Sequence, residues 1–140
     1  MVSYCATYNY ASSGQTTKEC TTKLYALIID DEIDICYLLK NILQHQNLTA
    51  EYVTSLGAAE KILQESEPPV IFLDNHLSDG LGINHIRKMK KEHPASKVVM
   101  ITAHDNPSDR EKAFQEGADY FISKPFSRNT ILKTIENINL

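Results

Sequence analysis

The sequence predicts an α/β fold, a single domain built on a five-stranded parallel sheet with helices on both faces. Three observations predict it. Short apolar runs alternate with stretches of helical periodicity five times over between residues 24 and 140. The runs are too short for helices and rich in β-branched residues, as strands buried on both faces are. The segments between them are long enough for crossover helices, and such alternation implies parallel strands joined by right-handed crossovers. A chain of 140 residues fits one domain with a sizeable core.

The elements follow in order. LYALII at 24–29 is the first strand. Ile35, Leu38, Leu39 and Ile42 then recur at the spacing of one helical face. AEYVT at 50–54 is a weaker, edge-like strand, followed by Ala59, Ile62 and Leu63 on a helix that Ser55 can cap. VIFL at 70–73 is the third strand, and 82–92 is an amphipathic helix. KVVMIT at 97–102 is the fourth strand. Residues 107–116 form another amphipathic helix, ended by Gly117 in a left-handed cap. DYFIS at 119–123 is the fifth strand, and Ile131, Ile135 and Ile138 mark a last helix behind Ser127. No second domain is expected within 24–140.

Composition excludes some functions. Acidic residues outnumber basic ones, 18 to 14, for a net charge of −4. The basic residues are scattered, so no footprint for nucleic acid or an anionic membrane is expected. No apolar run approaches the roughly 20 residues that span a bilayer. Cys5, Cys20 and Cys36 fit neither a zinc pattern nor a disulfide framework, which favours a reducing cytoplasm. On the first helix, Cys36 is a packing or surface residue rather than a catalytic thiol. Residues 1–23, rich in Ser, Thr, Tyr and Gly, are expected to be a flexible leader, the alternative being an ordered arm or docking peptide. They have no apolar core of a secretory signal.

The stretch IIDDE at 28–32 aims three carboxylates at the end of a buried strand. In open α/β sheets ligands bind outside the carboxyl ends of the strands. Asp30 and Asp31 follow the first strand, Asp74 the third and Lys124 the fifth, and Thr102 closes the fourth. Carboxylates brought within about 4–6 Å of one another repel unless a cation sits among them. An all-oxygen acidic pocket suits a hard divalent ion, most plausibly Mg2+, which keeps water and phosphate oxygens among its ligands. A hydroxyl and an ammonium at the same rim suit a phosphoryl group. Each residue alone has a plainer role: the acidic pair as a helix N-cap, Asp74 as a turn residue, Thr102 as a strand end, Lys124 as a solvated lysine. Their coincidence favours the site. His45, His85 and His93 show no metal-ligand spacing.

Four motifs carry a resemblance: LIIDDE at 27–32, FLDNHLSDGLG at 72–82, MITAHD at 100–105 and GADYFISKPF at 117–126. The chain over 24–140 resembles the receiver domain of bacterial two-component response regulators. The resemblance implies a flavodoxin-like (βα)5 fold with strand order 2-1-3-4-5. It implies that Asp74 accepts a phosphoryl group from a sensor histidine kinase or histidine phosphotransfer protein. Mg2+ would be bound by Asp31 directly, by Asp30 largely through water, by Asp74 and by the backbone carbonyl of His76. Thr102 and Lys124 would contact the phosphoryl oxygens, Phe121 would be the aromatic switch residue, and Lys124–Pro125 would be a cis peptide. The output would be a changed α4-β5-α5 face, engaging a downstream protein or a second receiver in a homodimer. Such a protein is a signalling switch and not an enzyme, beyond its own phosphorylation and slow dephosphorylation.

Departures qualify the match. Ser78 stands where the family usually has proline, leaving the turn looser, and Phe121 lacks the hydroxyl of the tyrosine common there. His76 and His104 lie two residues beyond Asp74 and Thr102, and are expected to tune the lifetime of the acyl phosphate. Two rivals remain: a receiver-shaped interaction module that is never phosphorylated, and a Mg2+-dependent aspartyl phosphohydrolase. The second normally needs an acid where His76 stands.

Overall fold

The computed structural model describes residues 24–139, so the expected leader at 1–23 lies outside the described residues. The main sheet has five parallel strands: β1 (Ala26–Ile29), β2 (Ala50–Val53), β3 (Val70–Asp74), β4 (Lys97–Thr102) and β5 (Tyr120–Ser123). Its spatial order is 2-1-3-4-5, as expected. The helices between them are α1 (Ile33–Gln44), α2 (Leu56–Leu63), α3 (Ile86–Glu92, preceded by a 3-10 turn, Gly82–His85), α4 (Pro107–Glu116) and α5 (Arg128–Ile138). In-register pairing of Ala26 with both Ala50 and Val70 aligns β1 with its two neighbours, so the strand ends share one rim.

Alternate residues of each strand feed opposite faces. Leu27, Ile29, Ile71, Leu73, Val98 and Met100 pack with residues of α2, α3 and α4. Ala26, Ile28, Val70, Phe72, Val99 and Ile101 pack with α1 and α5. Because the connection after β1 leaves to one face and that after β3 to the other, the switch point falls between β1 and β3. A crevice opens there at the carboxyl rim.

Local signals set the helix ends. Ser55 accepts from Ala58 N–H at 3.1 Å and Ser127 from Thr130 N–H at 3.2 Å, each satisfying a donor the helix leaves free. Gly117 ends α4 at φ 117°. That left-handed conformation lets Ala118 N–H reach back to the carbonyl of Ala113 at 3.0 Å.

The structure corrects four expectations. On α1 the buried face is Cys36, Leu39, Ile42 and Leu43, whereas Leu38 is 44% exposed. The true stripe includes a cysteine that a count of aliphatic residues passes over. Helix α4 is less amphipathic than expected, burying only Ala113. Strand β5 is not buried on both faces: of its four residues only Ile122 is buried. Finally, the segment after β3 forms a short antiparallel hairpin, His76–Leu77 with Gly80–Leu81, and the helix expected over 82–92 starts with the 3-10 turn. Among the described residues no helix is long and apolar enough to cross a membrane.

Adjacent leucines on α1 separate the two versions of its buried face. Leu39→Ala should lower unfolding free energy by about 2–5 kcal/mol and Leu38→Ala by less than about 0.5 kcal/mol in urea titrations; losses of similar size at both would restore the expected stripe, which holds both leucines.

Candidate functional site

Asp30, the residue after β1, is completely buried, because the strand before it runs through the middle of the sheet. Its Oδ1 accepts the Glu32 N–H at 2.9 Å, fixing the turn into α1. Its Oδ2 lies 2.9 Å from Lys124 Nζ, but without hydrogen-bond directionality, so this buried oxygen has no hydrogen-bond donor. Asp74 ends β3 with its side chain 6% exposed, 3.3 Å from Lys124 Nζ. Asp31, next to Asp30, is exposed. One oxygen from each of Asp30, Asp31 and Asp74 can be chosen so that all three lie within 4.8 Å of one another.

Lys124 closes the cluster. Its backbone N–H donates to the carbonyl of Thr102 at 2.8 Å, tying the ends of β4 and β5 together. The peptide joining it to Pro125 is cis. The ammonium touches three carboxylates, and the shortest contact is 2.6 Å to Glu32. Thr102 is buried at the end of β4 and its Oγ1 accepts the His104 N–H at 3.0 Å. The hydroxyl's own hydrogen remains available for donation.

The electrostatics follow from burial. Asp74 is raised to about 6, first by loss of solvent and then by the charge of Asp30, with Lys124 opposing both. Asp30 is raised by burial, against the bond from Glu32 N–H and the Lys124 contact. Burial lowers the pKa of Lys124, but its contacts with Glu32, Asp30 and Asp74 outweigh that, and the ammonium is held well above the usual lysine range. Cys36 is buried, its Sγ donates to the carbonyl of Asp30 at 3.2 Å, and its pKa is pushed up to about 12 by desolvation and by the charge of Asp30. It is packing, with no thiolate to act as nucleophile.

These carboxylates carry more negative charge than one ammonium balances, and the donor set is all oxygen. The unsatisfied Asp30 Oδ2 and the raised Asp74 both indicate room for further positive charge. The residues therefore fit a hard divalent cation such as Mg2+.

The loop after Asp74 is held closely. The carbonyl of Asn75 accepts Gly82 N–H at 2.8 Å and its side chain accepts Ile83 N–H at 2.9 Å. A Cβ at Gly82 would lie 2.9 Å from Leu73 Cγ and closer still to the carbonyl oxygen of Asp74, so only glycine fits. Asp79 accepts the N–H groups of Leu56 and Gly57, each at 3.0 Å, anchoring the hairpin to the start of α2. Above the site the rings of His76 and His104 lie with centroids 4.4 Å apart, tilted by 57°, and both residues are exposed. Phe121 is half-buried on β5, at the edge of the core under α4.

Asp30, Asp31, Asp74, Thr102 and Lys124 thus share one rim. Two residues there were missed from sequence. Glu32 was the third acid of IIDDE, and only the fold shows that it reaches Lys124, 92 positions away. Asp79 has the composition of any turn, and its partners lie 23 and 22 residues earlier.

Comparison with known proteins agrees with this fold. The profile of the response regulator receiver domain matches residues 26–136, so the chain belongs to the receiver domain family of two-component response regulators. It is 36% identical over 114 residues to the nitrogen assimilation regulatory protein NtrX of Azorhizobium caulinodans, covering 79% of this chain and 25% of that protein. It is 31% identical over 114 residues to the phosphate regulon transcriptional regulatory protein PhoB of Escherichia coli K12, covering 80% and 50%. The chain thus spans a quarter to a half of the length of these relatives. Among solved structures, the beryllofluoride-activated NtrC4 receiver domain dimer matches with TM-score 0.77 and 37% identity, covering 81% of this chain and 93% of that one. The receiver domain of NtrX from Brucella abortus matches with TM-score 0.75 and 30% identity, covering 81% and 96%.

A raised carboxylate pKa means that the charged form destabilises the fold: the penalty is present above the folded pKa and disappears below the unfolded one. Asp74→Asn should therefore stabilise metal-free protein at pH 8 by roughly 1–2 kcal/mol. Thermal unfolding across pH should show this gain shrinking as pH falls through about 6 toward the ordinary carboxylate value near 4. A gain independent of pH would refute the electrostatic origin.

Proposed function

We propose that this domain is a phosphorylation switch in which Asp74 accepts a phosphoryl group from the phosphohistidine of a sensor histidine kinase or histidine phosphotransfer protein. The observation that carries this is the placement of the Asp74 carboxylate, at the open rim and 3.3 Å from the Lys124 ammonium, among a second buried acid and an exposed one. An Asp74 oxygen attacks phosphorus, the phosphorus–nitrogen bond breaks, and the imidazole leaves with the electron pair. The product is an acyl phosphate. With its pKa near 6, Asp74 is mostly ionised at neutral pH and so nucleophilic.

Asp30, Asp31, Asp74 and the backbone carbonyl of His76 would hold Mg2+, which when bound neutralises charge on the phosphoryl oxygens. Lys124 and the free hydrogen of Thr102 donate to those oxygens. Drawing them inward vacates space behind Thr102, and Phe121 moves into it, changing the α4-β5-α5 face. That face then engages a protein partner or a second receiver. The tilted pair His76 and His104, two residues beyond Asp74 and Thr102, limits or positions the water that hydrolyses the acyl phosphate.

Intact-mass measurement after incubation with acetyl phosphate and Mg2+ tests the reading. One added phosphoryl group is expected on the parent, with none after chelation by EDTA and none on Asp74→Ala. An unmodified parent would favour an interaction module that works without phosphorylation. Replacing His76 and His104 together with Asn should change the acyl-phosphate half-life; an unchanged half-life would remove both from that role.

A further inference from the structure

The loop from β4 to α4 is tied to β5 by a contact that the chemistry above leaves unused. Asp105 stands three residues beyond Thr102 in that loop. It receives Arg110 of α4 through two donors, Nη2 at 2.8 Å and Nε at 3.3 Å, and also the hydroxyl of Ser123, the residue before Lys124. The Arg110 guanidinium in turn lies over the Phe121 ring, 4.5 Å from its centroid. Phe114 of α4 meets the same ring at 6.3 Å.

One carboxylate therefore joins the strand-end loop of Thr102, the strand end of Lys124 and the helix whose arginine lies over Phe121. Those are the three parts that the proposed switch must move relative to one another. Inward movement of the Thr102 loop displaces Asp105, and Phe121 cannot turn away without losing the stacked guanidinium. All these contacts coexist with Lys124 bound to Asp30, Asp74 and Glu32, the arrangement of the unphosphorylated site. Contacts made only in one state stabilise that state.

We propose that Asp105 and Arg110 form a latch that holds Phe121 in its resting position, setting how readily the domain enters its activated conformation. The proposal rests on the phosphorylation reading above. Neither residue touches the phosphoryl site. Asp105 and Arg110 are positioning residues, and the bidentate pair is what makes the arginine's place over the ring definite.

Beryllofluoride with Mg2+, a phosphoryl mimic that needs no kinase, measures the equilibrium directly. A ligand that binds one conformer gains apparent affinity as that conformer becomes more populated. Arg110→Ala and Asp105→Asn should each bind beryllofluoride about three- to tenfold more tightly than the parent, from the loss of one exposed ion pair and one cation–π contact. The double variant should gain little beyond the larger single effect, because each change removes the same contact. In the ligand-free variants, NMR signals of Ile122 and Met100 should lie displaced toward their beryllofluoride-bound positions in the parent. Ser123→Ala, which keeps the ion pair, should give a smaller shift in the same direction. Unchanged or weaker binding by both single variants, with the parent binding normally, would overturn the latch while leaving the phosphorylation reading intact. A parent that binds no beryllofluoride would instead defeat that reading, and the latch with it.

Discussion

A single ammonium among too many carboxylates governs this domain. Lys124, 9% exposed, meets Asp30, Asp74 and Glu32. Buried charges persist only when paired, and removal of one partner from such a group costs several kcal/mol. Here the pairing is deliberately incomplete. Asp30 keeps one oxygen without a hydrogen-bond donor and Asp74 stays raised, so the site has standing affinity for added positive charge. Any group that brings a cation and takes over part of Lys124 changes the balance at once.

The fold makes that concentration of charge possible. Parallel pairing in register sets the ends of β1, β3, β4 and β5 along one edge, and the helices bury everything beneath them. The functional groups sit where strands end, so strand geometry positions them while their side chains stay outside the ladder. The segment that follows Asp74 is held at two points. Gly82 packs against the Asp74 carbonyl, and Asp79 fixes the hairpin to α2.

Much of this was legible in the sequence, and the reasons for the rest are physical. Strands β1 and β3 read clearly because central strands are apolar on both faces, and the caps at Ser55, Ser127 and Gly117 read clearly because they act within a few residues. The α1 stripe was half right: Leu39 and Ile42 are buried as expected, but Ile35 and Leu38 fit the helical period as well as Cys36 and Leu43 do. Only the sheet decides which face is covered. Asp30, Asp31, Asp74, Thr102 and Lys124 were found because each follows or closes a strand, a local property. Glu32, Asp79 and Asp105 escaped because their partners lie elsewhere in the chain, and nothing near them in sequence distinguishes them from solvated acids.

Helix α4 brings stability and signalling together. It buries only Ala113, exposes Phe114, and turns Arg110 toward Phe121 and Asp105. A helix with so little apolar anchorage gains little from its present seat and is held largely by its ends: Asn106 accepts the Asp109 N–H at 2.8 Å and Gly117 turns the chain out. Elements with few buried contacts occupy the low end of the local stability range and are the ones that move at small free-energy cost. Helices α1 and α5, with their aliphatic faces in the core, cannot shift without opening cavities. The polar character of α4 thus leaves it the helix of the domain with the least apolar attachment to the sheet.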